Sequence, residues 1–184
     1  MNHTDRGPYL TGLARAAIAR AFGRDVPLPE APAWAREPGA SFVTLTQDGQ
    51  LRGCIGTLEA HRPLVEDLES NARAAAFGDT RFAPLEEAEL ARTRVEVSLL
   101  SPPQAMQFRD EADALAQLRP GVDGVILEAG WHRATFLPQV WEQLPEPAVF
   151  MAHLKRKAGL APGYWSGEIR LSRYTVEKFK EPTS

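Results

Sequence analysis

Two runs of alternating character, Ser41-Phe42-Val43-Thr44-Leu45-Thr46-Gln47 and Gln50-Leu51-Arg52-Gly53-Cys54-Ile55-Gly56, flank the dipeptide Asp48-Gly49. Asp and Gly tolerate the positive φ that a type I′ turn needs at both central positions, and the twist of that turn matches the twist of paired strands. The segment predicts a β-hairpin with the sole cysteine in its second strand. A sheet is therefore required, and the surrounding patterns decide what packs on it.

Leu10, Leu13, Ala14, Ala17, Ile18, Ala21 and Phe22 recur at helical spacing ahead of Gly23, which predicts an amphipathic, core-facing first helix. The three prolines of Val26–Pro32 fix φ and withhold amide donors, as in an extended connection. A second helix is expected to start near Pro63, to bury Leu64, Val65, Leu68, Ala72, Ala75 and Ala76, and to stop at Gly78. Arg94–Leu99 alternates with period two, in the manner of an antiparallel strand with one solvated face. Further on, a short helix over residues 111–118 and a second hairpin from Gly124 to Leu137 are predicted. They precede a helix from Pro147 to Lys157 and a closing strand from Ile169 to Phe179. Helices and hairpins mix without βαβ repetition. The expected class is α+β, an antiparallel or mixed sheet with flanking helices, in preference to a doubly wound sheet.

The chain has 184 residues, enough for one large domain or a domain with a small lobe, and its 43% hydrophobic and 24% charged content is that of a globular protein. Met1–Arg6 lacks the basic-then-apolar run of a secretion signal, and no stretch reaches the roughly 18 continuous apolar residues of a membrane span. A cytoplasmic location without membrane attachment is the expectation. One cysteine excludes an intrachain disulfide and a multi-cysteine zinc site, so Cys54 is either core filler or chemistry. Neither phosphate-cradling glycine patterns nor G-x-S-x-G occur, and no ligand set for zinc or iron is assembled. No metal or cofactor is expected. The bases Lys155, Arg156, Lys157, Arg170, Arg173, Lys178 and Lys180 crowd the C-terminal part of a chain whose net charge is −3. Without aromatic interleaving, that run reads as a solvated face before it reads as a nucleic-acid surface.

Residues two apart on a strand share a face at roughly 6.5–7 Å, so strict alternation would point Arg52 and Cys54 the same way, with the guanidinium placed to favour a thiolate. Gly53 and Gly56 have two readings: a bulge or close approach of a ligand, or room for a helix packed across the strand. His61 is the histidine nearest in sequence to Cys54 and the candidate base; His3, His132 and His153 read as terminal, turn and helix residues. Asn71, Asp79 and Arg81 put polar groups at the end of the second helix and in the turn behind it. Asp79 has a turn-stabilising reading as well as a binding one. Thr135 and Gln139 are candidates for a pocket wall, beside Trp141, which equally fits a core.

Leu51-Arg52-Gly53-Cys54-Ile55-Gly56 resembles the hallmark six-residue motif of the AMMECR family. Blocks over residues 71–85, 95–102, 135–142 and 155–160 continue the likeness in order, so that it covers nearly the whole chain from Leu10 to Glu181. The resemblance implies one domain over residues 5–181 with a larger sheet-containing lobe and a smaller lobe, the motif lying near a cleft between them. It also implies a pathway shared with a Memo-type protein and a radical S-adenosylmethionine enzyme, and it transfers no catalytic residues. Asp123 departs from the family pattern, where histidine is expected in many relatives. Three activities stay open, in this order: a cysteine-dependent enzyme or enzyme component using Cys54, Arg52 and His61 on a small molecule or modified residue; a non-catalytic ligand-binding or adaptor protein; and, behind both, a nucleic-acid binder using the C-terminal basic face.

Overall fold

The computed structural model describes residues 6–182 and divides the chain into two compact units, residues 1–100 with 177–184, and residues 101–176. In the first unit the helices α1 (Arg6–Ala21) and α2 (Leu64–Phe77) pack on a sheet. Its strands are β1 (Ala40–Gln47), β2 (Gln50–Gly56), β3 (Arg94–Leu100) and β8 (Val176–Lys180). The order is β2-β1-β3-β8, with β1 antiparallel to both neighbours and β2 at an edge. Asp48 and Gly49 take φ of 51° and 77°, the positive values their turn requires. Leu10, Leu13, Ala14 and Ile18 of α1 and Leu68, Ala72, Ala75 and Ala76 of α2 are buried against Val43, Leu45, Val95 and Val97. At roughly 1.5–3 kcal/mol for each fully buried large aliphatic chain, this layer is the main stabilising term of the unit.

The second unit holds β4 (Gln104–Ala105), β5 (Gly124–Ala129), β6 (His132–Phe136) and β7 (Arg170–Tyr174) in the order β4-β7-β5-β6, with α3 (Glu111–Gln117) and α4 (Pro147–Lys157). Asp110 caps α3 by accepting from the Asp113 amide at 2.8 Å. Trp141 is core: its ring stacks on Phe150 at 3.8 Å between centroids and its Nε1–H donates to the Asp123 carbonyl at 2.7 Å. Asp123 is fully buried, and its carboxylate holds the Arg119 guanidinium at 2.7 Å and receives the Arg119 amide at 2.8 Å. Asp123 thus carries an ion pair that closes the turn into β5.

The α+β class is as expected, with two antiparallel sheets in place of one. The closing strand read as continuous from Ile169 to Phe179 is two strands, β7 in one sheet and β8 in the other, broken at Thr175. Its amide donates to Ser101 Oγ at 2.8 Å and its carbonyl accepts from the Ser101 amide at 2.9 Å, bonds that replace ladder pairing there. Periodicity cannot show such a break, because both strands alternate in the same way.

One polar cluster inside the first unit is represented in the sequence reading by Asn71 alone. Asp67, on the buried side of α2, accepts from the Ser41 amide and hydroxyl at 2.9 and 2.7 Å, from Thr57 Oγ1 at 2.7 Å and from Arg62 Nε at 2.9 Å. Asn71, one turn on, donates to the Ser41 carbonyl at 3.0 Å and to Asp67 at 3.1 Å. The carboxylate is wholly buried yet saturated with donors, so α2 is bolted to the start of β1 and to the end of β2. Asp67→Ala strands those donors in the core and is expected to lower the unfolding free energy by at least about 2 kcal/mol in urea denaturation.

Candidate functional site

The hairpin ladder is irregular where the motif lies. Leu45 faces Gly53 but Thr46 faces Leu51, so Arg52 has no opposite residue and β2 carries a bulge there. The alternation expected to bring Arg52 and Cys54 to one face is broken by that extra residue. Arg52 instead makes a two-pronged ion pair with Glu89, Nε to Oε1 at 3.1 Å and Nη2 to Oε2 at 3.0 Å, and donates from Nη1 to the Ala83 carbonyl at 2.8 Å. Hydrogen bonds from Arg52 and from the Glu86 amide hold Glu89 down at about 2, against an ordinary 4.5.

Both glycines answer to packing. A Cβ on Gly53 would stand 2.1 Å from the Ala75 carbonyl oxygen of α2, and one on Gly56 would stand 2.1 Å from the ring of Phe42, its partner across the hairpin. The helix and the aromatic ring therefore fill the space that a ligand approaching the backbone would need.

Cys54 is half-buried and opposite Thr44, with Sγ 3.3 Å from Thr44 Oγ1. Thr44 in turn faces Glu96 on β3, and the Glu96 carboxylate lies 3.7 Å from Lys180 Nζ on β8. Directly opposite residues share a face, so Cys54, Thr44 and Glu96 form a polar row across three strands. The alternate residues Val43, Leu45 and Val97 point to the helices, which puts the row on the other face of the sheet. Thr44 and Glu96 were not singled out from sequence; their alternation is visible there, but the register that aligns them is not.

The turn after α2 reaches the outer edge of β2. Asp79 Oδ2 accepts the Cys54 amide at 3.0 Å and Arg81 Nη2 at 2.7 Å, while Arg81 donates to the Cys54 carbonyl at 3.3 Å. The bond from Arg81, then that from the Cys54 amide, holds the Asp79 carboxyl well below the usual range. Asp79 raises the Arg81 pKa in return, with a last contribution from Cys54. The cation next to the motif cysteine is thus Arg81, not Arg52.

The remaining candidates are His61, Asn71, Thr135 and Gln139, with the other histidines and the C-terminal bases. His61 is exposed, with Nδ1 3.1 Å from the Glu59 carbonyl, and Thr44 is the hydrogen-bonding neighbour of the thiol. Asn71 is 4% exposed and its amide is committed to the Asp67 cluster. Thr135 and Gln139 belong to the second unit; Thr135 Oγ1 lies 3.0 Å from the Tyr174 hydroxyl, and Gln139 is exposed. His132 Nδ1 lies 2.8 Å from the Ala158 carbonyl, His153 is exposed on α4, and His3 and residue 5 lie outside the described residues. The C-terminal basic run is not one surface: Lys155 is buried against Glu111 at 2.7 Å, and Lys157 donates to the Thr135 carbonyl at 2.9 Å. Among the described residues no group of three or more His, Cys, Asp or Glu could hold a metal ion, and no helix is long and apolar enough to cross a membrane.

Two measurements follow from this geometry. Gly53→Ala forces its methyl against the Ala75 backbone and is expected to cost about 1–3 kcal/mol, read as a lower urea midpoint. Glu89 has a folded pKa below its unfolded value, so its contribution to stability is full above about pH 4.5 and fades as pH falls toward 2. In acid titrations followed by circular dichroism, Glu89→Gln is expected to lack that component and to show a flatter stability profile in this window.

The AMMECR1 family profile matches residues 11–179. A protein of Methanothermobacter thermautotrophicus is 39% identical over 96% of this chain and 95% of its own length, and one of Methanocaldococcus jannaschii is 35% identical over 96% and 90%. The crystal structure of an uncharacterised protein from Pyrococcus horikoshii superposes with a TM-score of 0.77 at 34% identity, covering 95% of this chain and 91% of that one. Match length, identity and shared architecture agree, and the chain belongs to the AMMECR1 family.

Proposed function

We propose that the protein is a ligand-binding or adaptor component that works through the polar row of Cys54, Thr44 and Glu96, with Cys54 as a recognition group in place of a nucleophile. The observation that carries this reading is the commitment of Arg52 to Glu89: the motif's own cation holds the 83–89 segment onto β2 and leaves the thiol to a hydroxyl. Gly53 and Gly56 fit the same reading, since both are explained by the helix and the ring that lie on them. The family resemblance supports a Memo-type protein and a radical S-adenosylmethionine enzyme as the partners, and the single free thiol fits a reducing compartment such as the cytoplasm; an unidentified small molecule is the further ligand of this reading.

A second reading has an observation of its own. Arg81 stands beside the cysteine strand where Arg52 was expected, and the Thr44 hydroxyl can donate to a thiolate. Cys54 would then attack a small molecule or a modified side chain, with Arg81 favouring the anion.

Iodoacetamide labelling of Cys54 as a function of pH separates the two. The binding reading expects slow alkylation below about pH 8, little changed by Arg81→Gln. It also expects Cys54→Ser to retain capture of the proposed partners in co-purification. Rapid labelling near neutral pH that drops about tenfold in Arg81→Gln, with loss of function in Cys54→Ser, would replace the binding reading by the nucleophilic one.

A further inference from the structure

β2 is an edge strand, and an edge strand presents unpaired amides and carbonyls that template pairing with another chain. Thr44 and Cys54 are opposite, and the Cys54 amide is taken by Asp79 and its carbonyl by Arg81, so both backbone groups of Cys54 point outward from the sheet. The carboxylate stands where a neighbouring strand's carbonyl would be, and the guanidinium where its amide would be. These two side chains imitate the bonds of an added strand.

The segment that carries them is tied down along its length. Gly78 donates to the Ala74 carbonyl at 2.7 Å at one end, and Leu85, itself buried, donates to the Ala76 carbonyl at 2.7 Å at the other. Between them, Arg52 reaches out of the bulge to the Ala83 carbonyl at 2.8 Å. The bulge therefore does mechanical work for this segment: it frees Arg52 from the ladder and aims it at the edge.

We propose that residues 79–84 form a strap that closes the outer edge of β2 against a second copy of this chain. The occupant is a second copy because a strand edge is complementary to itself. Two β2 strands in antiparallel array about a twofold axis at Cys54 would exchange both backbone bonds of that residue. In that arrangement the two Cys54 Cα atoms come to about 5.5 Å, inside the range a disulfide spans. The chain has one cysteine, so a crosslink reports this contact without ambiguity.

The test compares the parent chain with Asp79→Ala/Arg81→Ala, which removes both capping groups. Sedimentation velocity over a concentration series, together with mild oxidation by copper phenanthroline and non-reducing electrophoresis, is expected to show added association and a Cys54–Cys54 crosslink in the double variant alone. A double variant with native circular dichroism that associates no more than the parent overturns the proposal. Association without the crosslink places the contact elsewhere and overturns it equally. If the double variant does not fold, amide exchange in the parent decides. Gly56 lies two residues along the same strand, and its amide serves as the reference. The strap requires the Cys54 amide to exchange at least roughly tenfold more slowly than that of Gly56, and equal rates overturn it.

Discussion

Where α2 crosses the hairpin, the Ala75 carbonyl oxygen lies so near Gly53 that even a methyl group would stand 2.1 Å from it. Most of the first unit depends on that approach. Ala72, Ala75 and Ala76 present a thin face to the sheet, and Gly53 answers with no side chain, so backbone meets backbone. The closeness also positions the helix end, and with it the turn that brings Asp79 and Arg81 to Cys54. A bulkier residue on either side would lift the helix and withdraw the caps from the strand edge.

Two charged anchors keep this seating in register. Asp67 locks the first half of α2 to Ser41 and Thr57, at the opposite end of the hairpin from the turn. Across the sheet, Arg15 of α1 donates from Nη1 to the Leu90 carbonyl and pairs with Glu181, whose carboxylate also takes the Val95 amide at 2.9 Å. Dispersion and burial supply most of the stabilisation, but they are non-directional. Saturated polar anchors select one placement of each helix among the many that would bury similar area. Removing a single donor or acceptor from such a cluster costs more than the bond itself, because the partners stay buried.

What was legible in the sequence is what short-range pattern encodes. The hairpin could be read from Asp48-Gly49, α2 from its apolar spacing and terminal Gly78, and α4 from Pro147 to Lys157, because turn chemistry and periodicity act within a few residues. The bulge at Arg52, the break at Thr175 and the alignment of Thr44 with Glu96 depend on partners far along the chain. Asp67 looked like an ordinary acidic residue in a helix's first turn, where the macrodipole favours one. Only the fold shows that it faces inward. Its burial could not have been inferred from spacing, since the donors that permit it come from Ser41, Thr57 and Arg62.

The exchange of roles between the two motif-associated arginines has a physical cause. Arg52 lies nearer Cys54 in sequence, and perfect alternation would put both on one face. A bulge converts sequence proximity into spatial separation, because the extra residue leaves the ladder and takes its side chain with it. Arg81, a distant residue in sequence, arrives because the helix between them is long enough to return the chain to the strand edge. Each guanidinium then meets a carboxylate, Glu89 or Asp79, and carbonyl oxygens at fixed angles, a pattern that suits a planar fork better than an ammonium. The conspicuous charge of the motif therefore builds a rigid frame around Cys54. What distinguishes the cysteine chemically is its place in the row with Thr44 and Glu96, on the face that the helices leave to other contacts.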